Sequence, residues 1–119
     1  MLFKKQITAK IRFSDPLLIV YSSVNKRIVG SITCTVDNQN DIISIGDIRC
    51  DICNKGYGSL MMKTLIEYGK QNNYKSIEGW ISQVDIDHIN RLHHFYQKFG
   101  FDIIPNKNGD KIEDIILRL

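Results

Sequence analysis

Ile42-Ile43-Ser44-Ile45-Gly46-Asp47-Ile48-Arg49-Cys50-Asp51-Ile52 runs through Cys53-Asn54 into Lys55-Gly56-Tyr57-Gly58-Ser59-Leu60-Met61-Met62, and this stretch decides the fold. Its first part is rich in isoleucine and reads as a strand. The residues after Gly58 place apolar side chains at Met61, Leu65 and Tyr68, a helical spacing. A strand that turns through glycines into a helix presents backbone N–H groups at the positive end of the helix dipole. Glycine has no β-carbon, so a bulky anion can approach the main chain there. The chemistry implied is capture of a phosphate or pyrophosphate. A glycine pair alone also serves as a plain tight turn. Lys55–Ser59 is neither a Walker A loop nor a full G-x-G-x-x-G fingerprint, since Met61 stands where the third glycine would be.

Working outward, the chain before this stretch reads as an antiparallel meander without helices. Ile7, Ala9, Ile11 and Phe13 alternate with polar neighbours, the period of a half-buried strand. Ser14-Asp15-Pro16 breaks it. Leu17 to Val24 is a second strand, Asn25-Lys26-Arg27 a turn, and Ile28 to Val36 a third strand; Asp37 to Asp41 turns into the fourth. Beyond the stretch, the first helix ends near Asn72-Asn73, and Lys75 to Ser82 is a fifth strand with Gly79 inside it. A strand, helix and strand in succession form a βαβ unit, so strands four and five run parallel. Asp87 is a plausible N-cap for a second helix from about His88 to Phe99, with Ile89, Leu92, Phe95, Tyr96 and Phe99 on one broad face. Phe101 to Ile104 is a sixth strand, Pro105 to Asp110 a turn, and Lys111 to Leu119 a closing strand. The expected architecture is one α+β domain over residues 1–119: a mixed, mostly antiparallel sheet of about seven strands with two main helices.

The 119 residues suffice for one core, and the hydrophobic fraction of 43% with a charged fraction of 24% is that of an ordinary globular chain. The net charge of +3 suits an acidic small ligand; Lys and Arg are scattered, which does not point to nucleic acid. No apolar stretch follows Lys4 and Lys5 as a signal would need, and Leu17–Tyr21 is too short to span a bilayer. Cys34, Cys50 and Cys53 therefore read as reduced thiols of a cytoplasmic protein. Cys50 and Cys53 form a C-x-x-C pair, but it lacks two further ligands for zinc and sits at a strand end rather than a helix N-terminus. No metal is expected. The three histidines, His88, His93 and His94, read as a polar helix face.

His94-Phe95-Tyr96-Gln97-Lys98-Phe99-Gly100-Phe101 ends the second helix. It resembles the F-Y-x-K-x-G-F signature of the GNAT (N-acetyltransferase) superfamily, in which a strand leads into R/Q-x-x-G-x-G/A and a long helix. Both motifs occur here in that order, from about Ile42 to Ile104. The resemblance implies that strands four and five splay apart and that the pantetheine arm of acetyl-CoA lies in the gap as a surrogate strand. It places the pyrophosphate on residues 54–59, namely Asn54, Lys55, Gly56, Tyr57, Gly58 and Ser59. The thioester falls near Ile48, Arg49 and Cys50, beside Tyr96. It makes Tyr96 the general acid that protonates the leaving thiolate, the phenol at about 10 lying close to a thiol at about 8.5. The function implied is acetyl-CoA-dependent N-acetylation of a primary amine, with a non-catalytic acyl-CoA-binding or interaction module as the alternative.

The chain departs from the family in three places. Cys53 replaces the usual Arg or Gln. The family's helix asparagine falls at Ile89, leaving Asn90 one residue off as a pantetheine contact. Ser14-Asp15-Pro16 leaves no room for the helices that usually follow the first strand and wall the acceptor site. That predicts an open acceptor groove, a large acceptor such as a peptide or protein amine, or a homodimer whose second subunit supplies the wall. Asp47, Asp51, Glu78 and an ordered water are the candidates for the base.

Overall fold

The structure is a computed structural model, and it describes residues 7–50 and 56–119. Seven strands form one sheet: β1 (Ile7–Ser14), β2 (Leu17–Val24), β3 (Arg27–Asp37), β4 (Ile42–Cys50), β5 (Ser76–Ser82), β6 (Asp102–Asn108) and β7 (Lys111–Arg118). Their order is β1-β2-β3-β4-β5-β7-β6, all neighbours antiparallel except β4 and β5. Helix α1 (Tyr57–Gln71) makes the crossover between those two, and α2 (Ile89–Lys98) precedes β6. This is the α+β arrangement expected, with the parallel pair where the βαβ pattern put it.

Turn chemistry builds the meander. β1 passes to β2 across two residues, Asp15 and Pro16, so no helix intervenes. Between β2 and β3, Asn25 and Lys26 both take positive φ (52° and 69°), the two-residue hairpin geometry that matches strand twist. The Asp37 carboxylate accepts hydrogen bonds from the Gln39 and Asn40 amides and so shapes the turn into β4. Asn73, at φ 62°, supplies the left-handed residue just past α1.

Period-two alternation sends Leu18, Val20, Ile32, Cys34, Val36, Ile43, Ile77 and Ile115 to one face, where they meet Met61, Met62 and Leu65 of α1. Each of the three α1 side chains is fully buried, worth about 1.5–3 kcal/mol apiece. Helix α2 joins the same core through Tyr96, with Phe101 just beyond it. His93 Nε2 lies 2.5 Å from Glu113 Oε1 and ties α2 to β7. The opposite face carries Thr35, Ser44, Asp47, Arg49 and Trp80, all exposed, and no helix among the described residues covers it. Its polar pattern lets the sheet stand in water on that side.

Two expectations need correction. Asp87 does not cap α2: Gln83–His88 forms a 3₁₀ turn capped by the Ser82 side chain, which accepts from the Val84 amide, and α2 begins at Ile89. β6 does not stop before Pro105 but continues to Asn108. β6 is an edge strand, and its pairing is irregular between Pro105 and Asn108, so the proline's missing N–H costs the sheet little.

Candidate functional site

β4 and β5 pair only at Ile42–Ser76, Ile43–Ile77 and Ser44–Glu78. Beyond that point β4 stays with β3 as far as Cys50, and β5 stays with β7 as far as Ser82. The two strands therefore part, each turning into the gap an edge with no strand partner among the described residues. Two features sit where they separate. Gly46 is the extra residue of a bulge, since Thr33 pairs with Asp47 and Cys34 with Ile45; bulges bend the strand that carries them. On β5, a β-carbon at Gly79 would stand 3.3 Å from Ile115 Cδ1 and 3.4 Å from Ile45 Cβ, so the glycine keeps the crotch of the gap unfilled.

On the helix side the gap opens into a cavity of about 530 Å³ lined by Ile48, Cys50, Gly56, Tyr57, Gly58, Ser59 and residues of α2. Gly56 caps α1 in the left-handed region (φ 79°) and no side chain caps the first turn, which also lacks an acidic residue. The amides of that turn thus have no side-chain acceptor among the described residues. A β-carbon on Gly56 would meet nothing within 4 Å, so its backbone lies open. Across the cavity stand Arg91, His94 and Lys98, one stripe of α2. Lys98 Nζ donates to Ser59 Oγ at 2.6 Å and lies over the rings of Phe95 and Phe99, at 5.6 and 5.1 Å. An ammonium at the positive end of a helix is electrostatically mismatched until an anion joins it.

Tyr96 stands between this cavity and a smaller one of about 180 Å³ within the gap itself. It is 7% exposed, packed edge-on against Phe95 and Phe101 with centroids 5.4 Å away in each case. Its hydroxyl has no hydrogen-bond partner among the described residues. Burial, aided by the charge of Asp85, pushes the phenol up to about 12. The proton is accordingly held throughout the neutral range. The Cys34 thiol, buried in the same core, is likewise pushed up to about 12 by burial.

Of the residues expected at the site, Ile48, Cys50, Gly56, Tyr57, Gly58, Ser59 and Tyr96 line these cavities. Asn54, Lys55, Asp51 and Cys53 lie outside the described residues. Arg49 and Asn90 line neither cavity; Arg49 alternates to the uncovered sheet face, and Asn90 is exposed. Arg91, His94, Lys98 and Asp85 were missed. The three on α2 share its Tyr96-bearing stretch, and helical spacing names them once the cavity's direction is known. Asp85 sits on the unforeseen 3₁₀ turn. Among the base candidates, Asp47 borders the smaller cavity from the uncovered sheet face, whereas Glu78 accepts a hydrogen bond from Ser76 Oγ at 2.7 Å. Among the described residues no group of three or more His, Cys, Asp and Glu is placed to hold a metal ion. No described helix is long and apolar enough to cross a membrane.

The family model for the Acetyltransferase (GNAT) family matches residues 3–101. The chain belongs to this family. It is 35% identical over 74 residues to the uncharacterized protein YocC of Bacillus subtilis (strain 168), a match that takes in 62% of this chain and 44% of that protein. The chain thus spans less than half the length of that curated relative. Among solved structures it is similar to the PaiA N-acetyltransferase of Thermoplasma acidophilum in complex with coenzyme A, with a TM-score of 0.72 at 11% identity over 87% of this chain and 62% of that one. It is also similar to a GNAT family acetyltransferase of Elizabethkingia anophelis with acetyl-CoA bound: TM-score 0.69, 17% identity, 95% of this chain and 98% of that one. At such identities these likenesses concern the fold: a GNAT sheet with a parted β4–β5 pair, here without helices between β1 and β2.

Proposed function

We propose that this GNAT domain is an acetyl-CoA-dependent N-acetyltransferase acting on a primary amine. One observation carries the reading: the parting of β4 and β5 beside Tyr96, a largely buried residue whose hydroxyl has no hydrogen-bond partner among the described residues. An acyl donor's amide-bearing arm would pair with the free strand edges. Its diphosphate would rest on the open amides of Gly56–Ser59 and between Lys98 and Arg91. Membership of the family and solved relatives bearing CoA or acetyl-CoA support this. The amine nitrogen attacks the thioester carbon directly, forming the C–N bond as the C–S bond breaks, and Tyr96 gives its proton to the departing thiolate. Main-chain N–H groups at the Gly46 bulge are suited to polarise the thioester carbonyl.

Calorimetric titration with acetyl-CoA tests the donor half; saturable binding is expected, and none at millimolar ligand would remove the reading. Thiol release with a panel of amines tests the transfer. The direct β1–β2 turn favours a second reading, a non-catalytic acyl-CoA-binding module that lacks an acceptor wall. That reading predicts donor binding with no thiol release under any amine.

A further inference from the structure

The two helices are seated unequally. α1 buries Tyr57, Met61, Met62 and Leu65, whereas α2 buries Tyr96 alone and leaves Ile89, Leu92, Phe95 and Phe99 partly covered. Apolar burial is non-directional, so one buried ring fixes the depth of α2 better than its roll about its own axis. That roll decides what α2 shows to the helix-side cavity, which Arg91, His94 and Lys98 line together with Tyr96. Directional contacts must hold it.

Among the described residues, two side-chain hydrogen bonds run from α2 to elements beyond its own N-cap. Lys98 Nζ donates to Ser59 Oγ, but both groups stand at the diphosphate site, where a bound anion would compete for them. His93 and Glu113, with Nε2 and Oε1 2.5 Å apart, line neither the helix-side cavity nor the smaller one, so the donor leaves their contact alone. Their side chains are 31% and 16% exposed, shielded enough for the contact to outweigh an ordinary surface pair. Glu113 is a firm post: its strand is paired on both edges there, with Ile81 of β5 and Pro105 of β6. Ile115, two residues on and on the same face, lines the smaller cavity beside Tyr96. His93 precedes Tyr96 by three residues, a spacing that puts the two within one turn on adjoining sides of α2.

We propose, resting on the acyl-donor reading above, that His93 and Glu113 are a positioning pair for the transfer. Their contact fixes the roll of α2 on β7, and so holds Tyr96 between the two cavities and the stripe of Arg91, His94 and Lys98 toward the donor. Neither residue touches the reacting atoms. Their effect passes through Tyr96, which as general acid must come within about 2.6–3.2 Å of the departing thiolate. A misplacement of about 1 Å at such a group is enough to cost about 10²-fold in rate. The contact asks of Glu113 an acceptor oxygen in the right place, which a glutamine of the same shape also offers.

The test measures the acetyl-CoA dissociation constant by calorimetry, and thiol release with a panel of amines, for the full chain and its variants well below their Tm. His93→Ala and Glu113→Ala should each raise the dissociation constant about threefold or more and lower kcat about tenfold or more, with the amine KM unmoved. The double variant should match the worse single one within about twofold, and Glu113→Gln should stay within about twofold of the wild type. Should the alanine variants not fold, Glu113→Asp takes their place with the same expectation, since it withdraws the carboxylate by one methylene and keeps its charge. A lowered Tm with donor affinity and kcat unchanged makes the contact merely structural and overturns the proposal. Losses that add up in the double variant, or a Glu113→Gln variant as impaired as Glu113→Ala, overturn it too. If no amine is acetylated, the donor affinities alone decide. A wild type that binds no donor removes the acyl-donor reading and the positioning pair together; donor binding that the variants leave unmoved removes only the pair.

Discussion

β4 has two edges, and they meet opposite fates. Along β3 it is paired from Ile42 to Cys50, interrupted only by the Gly46 bulge; along β5 it keeps three pairs and then lets go. Behind the closed edge, Met61, Met62 and Leu65 fill the core completely. Behind the open edge, Leu92 and Phe95 of α2 are only partly buried and line cavities instead. The difference teaches that the closed side carries the stability of this fold, whereas the open side trades burial for strand edges that have no strand partner among the described residues.

The sharpest way to test that division is Tyr96→Phe, which removes one hydroxyl and keeps the packed ring. Turnover should fall about 10²–10⁴-fold, as for loss of a general acid, with acetyl-CoA affinity and thermal stability nearly unchanged. Unaltered turnover, read in a steady-state thiol assay, would reduce Tyr96 to packing. On the closed side Leu65→Ala should cost about 2–5 kcal/mol in urea unfolding. A loss well under 1 kcal/mol would break the assignment of stability to that side.

The pH dependence of folding touches both sides at once, through Tyr96 and Cys34. Each is raised to about 12 in the folded state, so the native protein keeps a proton that the unfolded chain releases at lower pH. Their contribution is fully present below the unfolded values and is lost as pH rises from about 9 toward 12. Urea midpoints measured across that window should fall, and Tyr96→Phe should make the fall shallower. Gly79→Val would press side-chain atoms on Ile115 and Ile45 at the crotch of the gap and cost about 1–3 kcal/mol, measured by the same unfolding. The smallest effect is expected at Ser22, whose buried hydroxyl has no partner: Ser22→Ala should stabilise by about 1 kcal/mol, seen as a raised Tm.

Much of this was legible along the chain because it depends on neighbours in sequence. Alternation marked β1 to β4, the Lys55–Ser59 turn marked the start of α1, and the two motifs together marked the family. Reading failed where distant groups decided. Pro105 looked like a terminator, yet an edge strand does not need its N–H. Asp87 had the chemistry of a cap, yet the 3₁₀ turn places α2's start one residue later, with His88 at the cap position. Asn90 is exposed and lines neither cavity while Arg91, His94 and Lys98 line the larger one, because Tyr96 and His93 anchor α2 to the core and to Glu113.

By itself, the order of residues determined which faces of strands and helices are apolar, where the glycines turn, and so the α+β fold with its parallel pair. Tertiary structure decided which strand edge stays open and which carboxylates and cations meet across it. The reason is that side chains differ from residue to residue and write the faces into the sequence. The edges are main chain, nearly the same for every residue, and only the packing of β5 against β7 and of α2 beside the gap settles which of them is left unpaired.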